Sequence, residues 1–163
     1  MSKPPIKRSE HIVTLSREHH FSLLFAWKVK RGLALGIDQE RIMDYVFHFW
    51  NEHTVMHFKQ EEEVLFAIHN DELVDRALKE HQEVYKIIDG LSDWNREDDI
   101  SKELTALSEL ITAHVRFEER DLFPHLEKIL TPEQLKKIEH ELLEMQPEPL
   151  QDDYEDEFWD TKK

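Results

Sequence analysis

Two stretches of the chain set a histidine four residues ahead of a glutamate in nearly the same surroundings. They are His57-Phe-Lys-Gln-Glu61-Glu62-Glu63-Val-Leu-Phe66 and His114-Val-Arg-Phe-Glu118-Glu119-Arg120-Asp-Leu-Phe123, 57 residues apart. A second echo, Arg17-Glu18-His19 against Lys79-Glu80-His81, has an offset of 62. Residues four apart on a helix share a face, one turn above another, so each His-x-x-x-Glu pair aims a ring nitrogen and a carboxylate at one point. Two such pairs, with one further histidine from each of two other helices, give four nitrogens and two carboxylates: His19, His57, Glu61, His81, His114 and Glu118. Helix bundles build dinuclear metal sites in this way. Imidazole and carboxylate without thiolate suit iron or manganese, with zinc possible.

The spacing alone is weak evidence, because about one or two such pairs arise by chance in a chain this rich in both residues. Four occur: His48/Glu52, His57/Glu61, His114/Glu118 and His140/Glu144. Helical phase separates them. Val46, Trp50, Val64 and Ile68 share the face of His57, whereas His48 falls on the opposite side and is expected to face solvent. Leu107, Leu110, Ile111 and Phe117 flank His114. Leu15, Leu23 and Ala26 surround His19, and Val74, Ala77 and Ile88 surround His81. Carboxylates on apolar stripes need a neutralising partner.

Several neighbours compete for roles. His20 is the alternative to His19, and the repeat decides for His19 because His20 aligns with Gln82. Glu62 and Glu119 also repeat, and read as solvated or supporting groups rather than ligands. His53 lies one turn before His57 as an outer neighbour. Asp121 and His125 continue the Glu118 face, where hydrogen bonds to ligands would be useful, although an ordinary polar bundle end accounts for them as well. His11, His69 and His140 are expected to play no part.

The elements that position these residues read as helices throughout, with no strand alternation. One helix runs from Ser9 to about Arg31, with Gly32 and Gly36 marking a loop. Asp38 caps a second helix reaching about His69, and Asn70-Asp71 breaks the chain before a third over 72–94. A polar loop, 95–99, precedes a fourth over 101–130. Thr131-Pro132-Glu133-Gln134 is a strong start for a short fifth helix over 132–145. The expectation is an all-α, up-down-up-down antiparallel four-helix bundle over residues 1–146. Residues 147–163 carry seven acids and two lysines and read as a flexible acidic tail, in which Phe158 and Trp159 are the groups able to dock.

The 163 residues suit one domain with a sizeable core. The absence of cysteine removes disulfides, thiolate metal sites and cysteine nucleophiles. A net charge of -15 argues against nucleic acid. No apolar run reaches the roughly 20 residues of a membrane span, and no signal peptide is legible, so no membrane partner and a cytoplasmic location are expected.

At the two His-x-x-x-Glu-Glu segments, each followed by Leu-Phe and the second also by Pro124, the sequence resembles the hemerythrin-like, or HHE cation-binding, family. The likeness covers about residues 9–130. It implies a non-haem di-iron site in an up-and-down bundle, with His19, His57, His81 and His114 as nitrogen ligands and Glu61 and Glu118 as bridges. Oxygen-carrying members place a second histidine four residues after the third helix's ligand, where this chain has Tyr85. Their fourth-helix carboxylate is an aspartate five residues after the histidine, where Glu118 here follows at four. The ligand set is more similar to the iron-sensing hemerythrin-like domain of a ubiquitin-ligase subunit. The resemblance implies a protein that binds or senses oxygen, nitric oxide, peroxide or iron, and as an alternative a di-iron enzyme reducing peroxide or nitric oxide. A metal-free interaction bundle is the third reading.

Overall fold

A computed structural model describes residues 8–68 and 71–161, and every regular element among them is helical. Helix α1 is Val13–Ala34. Helix α2 is a continuous run over 39–68, and α3 is Glu72–Ser92. Helix α4 is a continuous run over 101–129, and α5 is Pro132–Met145.

The helix ends follow local chemistry. Asp38 accepts a hydrogen bond from the Glu40 amide, and Asp71 accepts one from the Leu73 amide. Thr131 and Gln134 form a reciprocal capping box, as their spacing predicts. His69 and Asn70, read from sequence as the end of α2 and the break after it, lie outside the described residues. Helix α1 does not stop at Gly32. It ends in a Schellman motif: the Ile37 amide donates to the Gly32 carbonyl and the Gly36 amide to the Leu33 carbonyl, with Gly36 at φ 69°.

Helix α1 packs on α2 and α4, and α3 packs on α4. Two apolar clusters fill the interior. One holds Phe25, Val29, Tyr45, Phe49, Val84, Leu91, Leu104 and Leu107. The other holds Leu15, Leu65, Ala77, Leu122, Leu126 and Ile138. Along α1 and α3 the second cluster comes first; along α2 and α4 it comes last. The order therefore alternates from helix to helix, and on each of the four His19, His57/Glu61, His81 and His114/Glu118 fall at the junction between the clusters.

The C-terminal segment differs from the expected flexible tail. Phe158 is buried against Tyr45, and Tyr154 and Trp159 pack on the same ring. Lys28 donates to Asp152 at 2.6 Å and lies over the Trp159 ring, while Arg41 grips Asp156 through two nitrogens. Three aromatic rings outweigh the acidity here, because basic residues of α1 and α2 meet two of the carboxylates. The segment also covers His48, whose ring lies 4.8 Å from Tyr154, so His48 is half-buried rather than facing solvent.

Candidate metal centre

The backbone widens at the two glutamates. In α2 the Phe66 amide bonds the Glu61 carbonyl, and in α4 the Phe123 amide bonds the Glu118 carbonyl, each spanning five residues instead of four. These π-turns, Glu61–Leu65 and Glu118–Leu122, sit at equivalent points of the 57-residue repeat. Such turns concentrate at functional sites, since one extra residue per turn re-aims the chain beyond it. Their effect is to bring Phe66 and Phe123 onto the glutamate faces. Phe123 stacks on the His19 ring at 5.2 Å, and Phe66 lies 5.9 Å from His81. A third π-turn, Trp50–Thr54, precedes His57.

The six side chains singled out by sequence converge. His19, His57, Glu61 and Glu118 form one group whose ligand atoms lie within 4.8 Å of one another, and Glu61, His81, His114 and Glu118 form a second. Both glutamates belong to both groups. All six residues are at most 4% exposed, and Glu61 and Glu118 are fully buried. The inward atoms are the Nε2 nitrogens. His19 Nε2 and His114 Nε2 approach Glu118 Oε1 at 3.1 and 3.0 Å. His57 Nε2 and His81 Nε2 approach Glu61 Oε1 at 3.4 and 3.2 Å. His81 and His114 bring their Nε2 atoms within 3.1 Å of each other.

The outward nitrogens decide the protonation. His57 Nδ1 meets Glu18 Oε1, His81 Nδ1 meets Glu62 Oε2 and His114 Nδ1 meets Glu80 Oε1, each at 2.8 Å. His19 Nδ1 faces Glu119 Oε2 at 3.3 Å as an ion-pair approach, and Glu119 also accepts from the Ser16 hydroxyl. Each acceptor is adjacent in sequence to a converging residue and serves the next helix round: Glu18 of α1 serves α2, Glu62 of α2 serves α3, Glu80 of α3 serves α4, and Glu119 of α4 serves α1. A carboxylate against Nδ1 assigns the proton to that atom and leaves the Nε2 lone pair pointing inward.

With all four rings neutral, as ligands to a cation must be, the interior would hold four lone pairs and two carboxylates. Both oxygens of Glu61, Oε2 of Glu118 and Nε2 of His57 have no hydrogen-bond partner. Without cations the centre is frustrated. Burial and the neighbouring Glu118 charge push the Glu61 carboxyl well above its ordinary range. Glu118 is held well below that range, since contacts with His114 and His19 outweigh its own burial. Burial would lower His114, yet Glu118 and Glu80 raise it to about 9. Burial lowers His57 and His81 despite their carboxylate partners. A donor set of acceptors facing one another fits cations, which relieve these contacts without protonating the side chains.

The remaining expectations sort cleanly. His20 is exposed while His19 points inward. Glu62 and Glu119 support histidines. Glu18 and Glu80 do the same work and were not given it by sequence, although both stood in the repeated triplets. Tyr85 neither joins the converging atoms nor merely packs: its hydroxyl donates to Glu62 Oε2 at 2.9 Å. His53 stacks on Phe49 at 4.7 Å as a buried neighbour. Asp121 is exposed and His125 pairs with Asp71, because the π-turn at Glu118–Leu122 rotates both off the face that uniform helical phase assigned them. His11 meets Glu139, and His140 meets Glu144 at 3.0 Å on an exposed face. His69 lies outside the described residues.

The family described as Hemerythrin HHE cation binding domain matches residues 10–126. No curated protein and no solved structure gives a significant match.

Proposed function

This chain belongs to the hemerythrin HHE cation-binding family, and from that premise we propose that it holds a carboxylate-bridged pair of iron ions and binds or senses a small ligand such as a diatomic gas or peroxide. The observation that carries the reading is the sharing of Glu61 and Glu118 between two overlapping quartets of buried donors. Shared carboxylates are what a binuclear centre requires, and each ion would then take two histidines, His19 with His57 and His81 with His114. Bound iron would supply Lewis acidity and one-electron redox chemistry. The chain's own part is to orient and to exclude water. Nδ1 hydrogen bonds fix the rings of His57, His81 and His114, Glu119 faces Nδ1 of His19, and Phe58 stacks on His81 at 3.8 Å.

The two halves are not equivalent. The repeat sets Val115 opposite Phe58, and the shorter side chain leaves a cavity of about 10 Å³ beside His19, His57 and His114. That is room for the centre of one water-sized molecule. Ser22, Thr54 and Ile111 complete the lining, which has no ionisable side chain beyond the three histidines. A pocket without a further ionisable side chain supports binding or sensing ahead of turnover.

Metal analysis with an optical spectrum after reconstitution with ferrous iron in air tests the proposal. Two irons per chain and charge-transfer bands of an oxidised iron pair are expected, with both lost in His57→Ala and Glu118→Ala and kept in His48→Ala. Less than one metal per chain, or an unchanged spectrum in His57→Ala, overturns it. Steady consumption of hydrogen peroxide abolished by Glu61→Ala would put an enzyme in place of a sensor.

A further inference from the structure

A second cavity, about 510 Å³, opens between the first half of α1 and the stretch where the chain leaves α5. Its walls are largely apolar, with Phe21 on one side and Leu143, Pro147 and Leu150 on the other. The size is that of a pocket for a small organic molecule.

Two polar groups on these walls lack partners. Glu18 is 5% exposed; its Oε1 accepts a hydrogen bond from His57 Nδ1, and its Oε2 bonds nothing. The Gln146 side-chain nitrogen donates to the Glu148 carbonyl, which leaves its buried oxygen as a second acceptor, also unpartnered. Leaving such atoms unmet is costly, most of all for a carboxylate. An occupant must therefore bring donors, and positive charge for Glu18; an anion would meet the carboxylate and lose its water. Arg17 and His20 also line the cavity, both exposed, but among the described residues neither bonds the free oxygen of Glu18, which stays unmet.

We propose that this cavity binds a small amphipathic amine, its ammonium against Glu18 Oε2 and Gln146 Oε1 and its apolar body against Phe21, Leu143, Pro147 and Leu150. Because the other oxygen of Glu18 holds His57, an occupant here also touches the support of the proposed iron centre. Binding itself does not depend on the iron reading, and only the second effect rests on it.

The test uses the full-length chain, metal-free and iron-loaded, titrated by calorimetry with phenethylamine, 2-phenylethanol and 3-phenylpropionate. Phenethylamine should bind both forms, the alcohol about tenfold more weakly and the acid not measurably. Glu18→Gln should erase the preference for amine over alcohol, and Leu143→Trp, which fills the cavity from an exposed position, should remove binding while leaving metal content intact. In the iron-loaded chain the amine should shift the charge-transfer bands. Absence of amine binding to the unaltered chain, equal binding of amine and acid, or amine binding unchanged in both variants overturns the proposal. Amine binding by a chain that takes up no iron upholds it and refutes the metal reading; iron uptake without amine binding does the reverse.

Discussion

At the scale of single residues, the centre is governed by which nitrogen of each histidine carries the proton. Four outer glutamates settle that, and Tyr85 in turn holds one of them. Tyr85→Phe removes one hydrogen bond to Glu62 and leaves that carboxylate its contact with His81. The expected cost is about 1 kcal/mol in urea denaturation, with metal content retained; loss of metal would mean that the hydroxyl itself reaches an ion. The same geometry fixes a pH dependence for the metal-free chain. His114 is raised from 6.5 to about 9, and His19 is also raised, because contacts with Glu118 and a second glutamate outweigh burial. Stability from these two rings is fully present below pH 6.5 and is lost as pH rises through their folded values. Glu61, raised by burial and by Glu118, adds a penalty above its ordinary 4.5 that grows until it ionises. His57 and His81, both lowered, are neutral folded or unfolded above 6.5 and change nothing there. The metal-free melting temperature should therefore fall between pH 6.5 and about 9, while the iron-loaded chain, whose ligands need no protons, should hold steady. Parallel curves for the two forms would show that these residues do not hold the metal.

At the scale of elements, the π-turns are the feature that sequence pattern could not supply. Spacing identified the His57/Glu61 and His114/Glu118 pairs because each pair closes within an ordinary helical turn. The phase relating Val46, Trp50 and His48 to His57 crosses the π-turn Trp50–Thr54 and is not kept. Beyond Glu118 the 3.6-residue periodicity fails as well, which is why Asp121 and His125 were assigned to a face that Phe123 occupies. No residue type marks a π-turn, since the same Glu-Glu-x-x-Leu letters fit an α-helix. The caps were legible because side-chain chemistry creates them: Asp38, Asp71 and Thr131 each accept a backbone amide. Glu63 is exposed within the first π-turn. Deleting it returns the turn to α-helix and rotates everything after it by about 100°. His57, Glu61 and Glu62 precede the deletion, so their spacing is kept, but buried Val64, Leu65 and Phe66 leave their places in the core. The deletion should lower the melting temperature sharply, whereas Glu63→Ala should change stability by less than about 0.5 kcal/mol. Equal effects of the two would show that the extra residue has no structural role.

At the scale of the whole molecule, the last segment closes one end of the apolar interior, and its mode of attachment explains why composition misled. Counting charges over 147–163 hides three rings spaced to meet Tyr45, and it hides the vacancy that receives one of them. That vacancy is Gly32. A Cβ there would lie 2.6 Å from Phe158 Cε2 and 3.2 Å from Ile42 Cδ1, so the helix carries a glycine inside α1 for close approach and not as a stop. Two opposing effects then attach to Gly32→Ala. In a helix interior the change is worth about 1 kcal/mol of stability when nothing obstructs it. Here the methyl displaces a buried ring, and overpacking of this kind costs about 1–3 kcal/mol. Phe158→Ala alone should cost about 3 kcal/mol, as large-to-small changes of buried aromatics do. The two substitutions share one contact and should not add. Gly32→Ala is expected to destabilise the parent chain but to stabilise the Phe158→Ala background, where the obstructing ring is gone. Urea denaturation of the four chains gives the cycle directly. A Gly32→Ala effect of the same sign and size in both backgrounds would place Phe158 away from α1 in solution and return the segment to the mobile tail that its charge suggests.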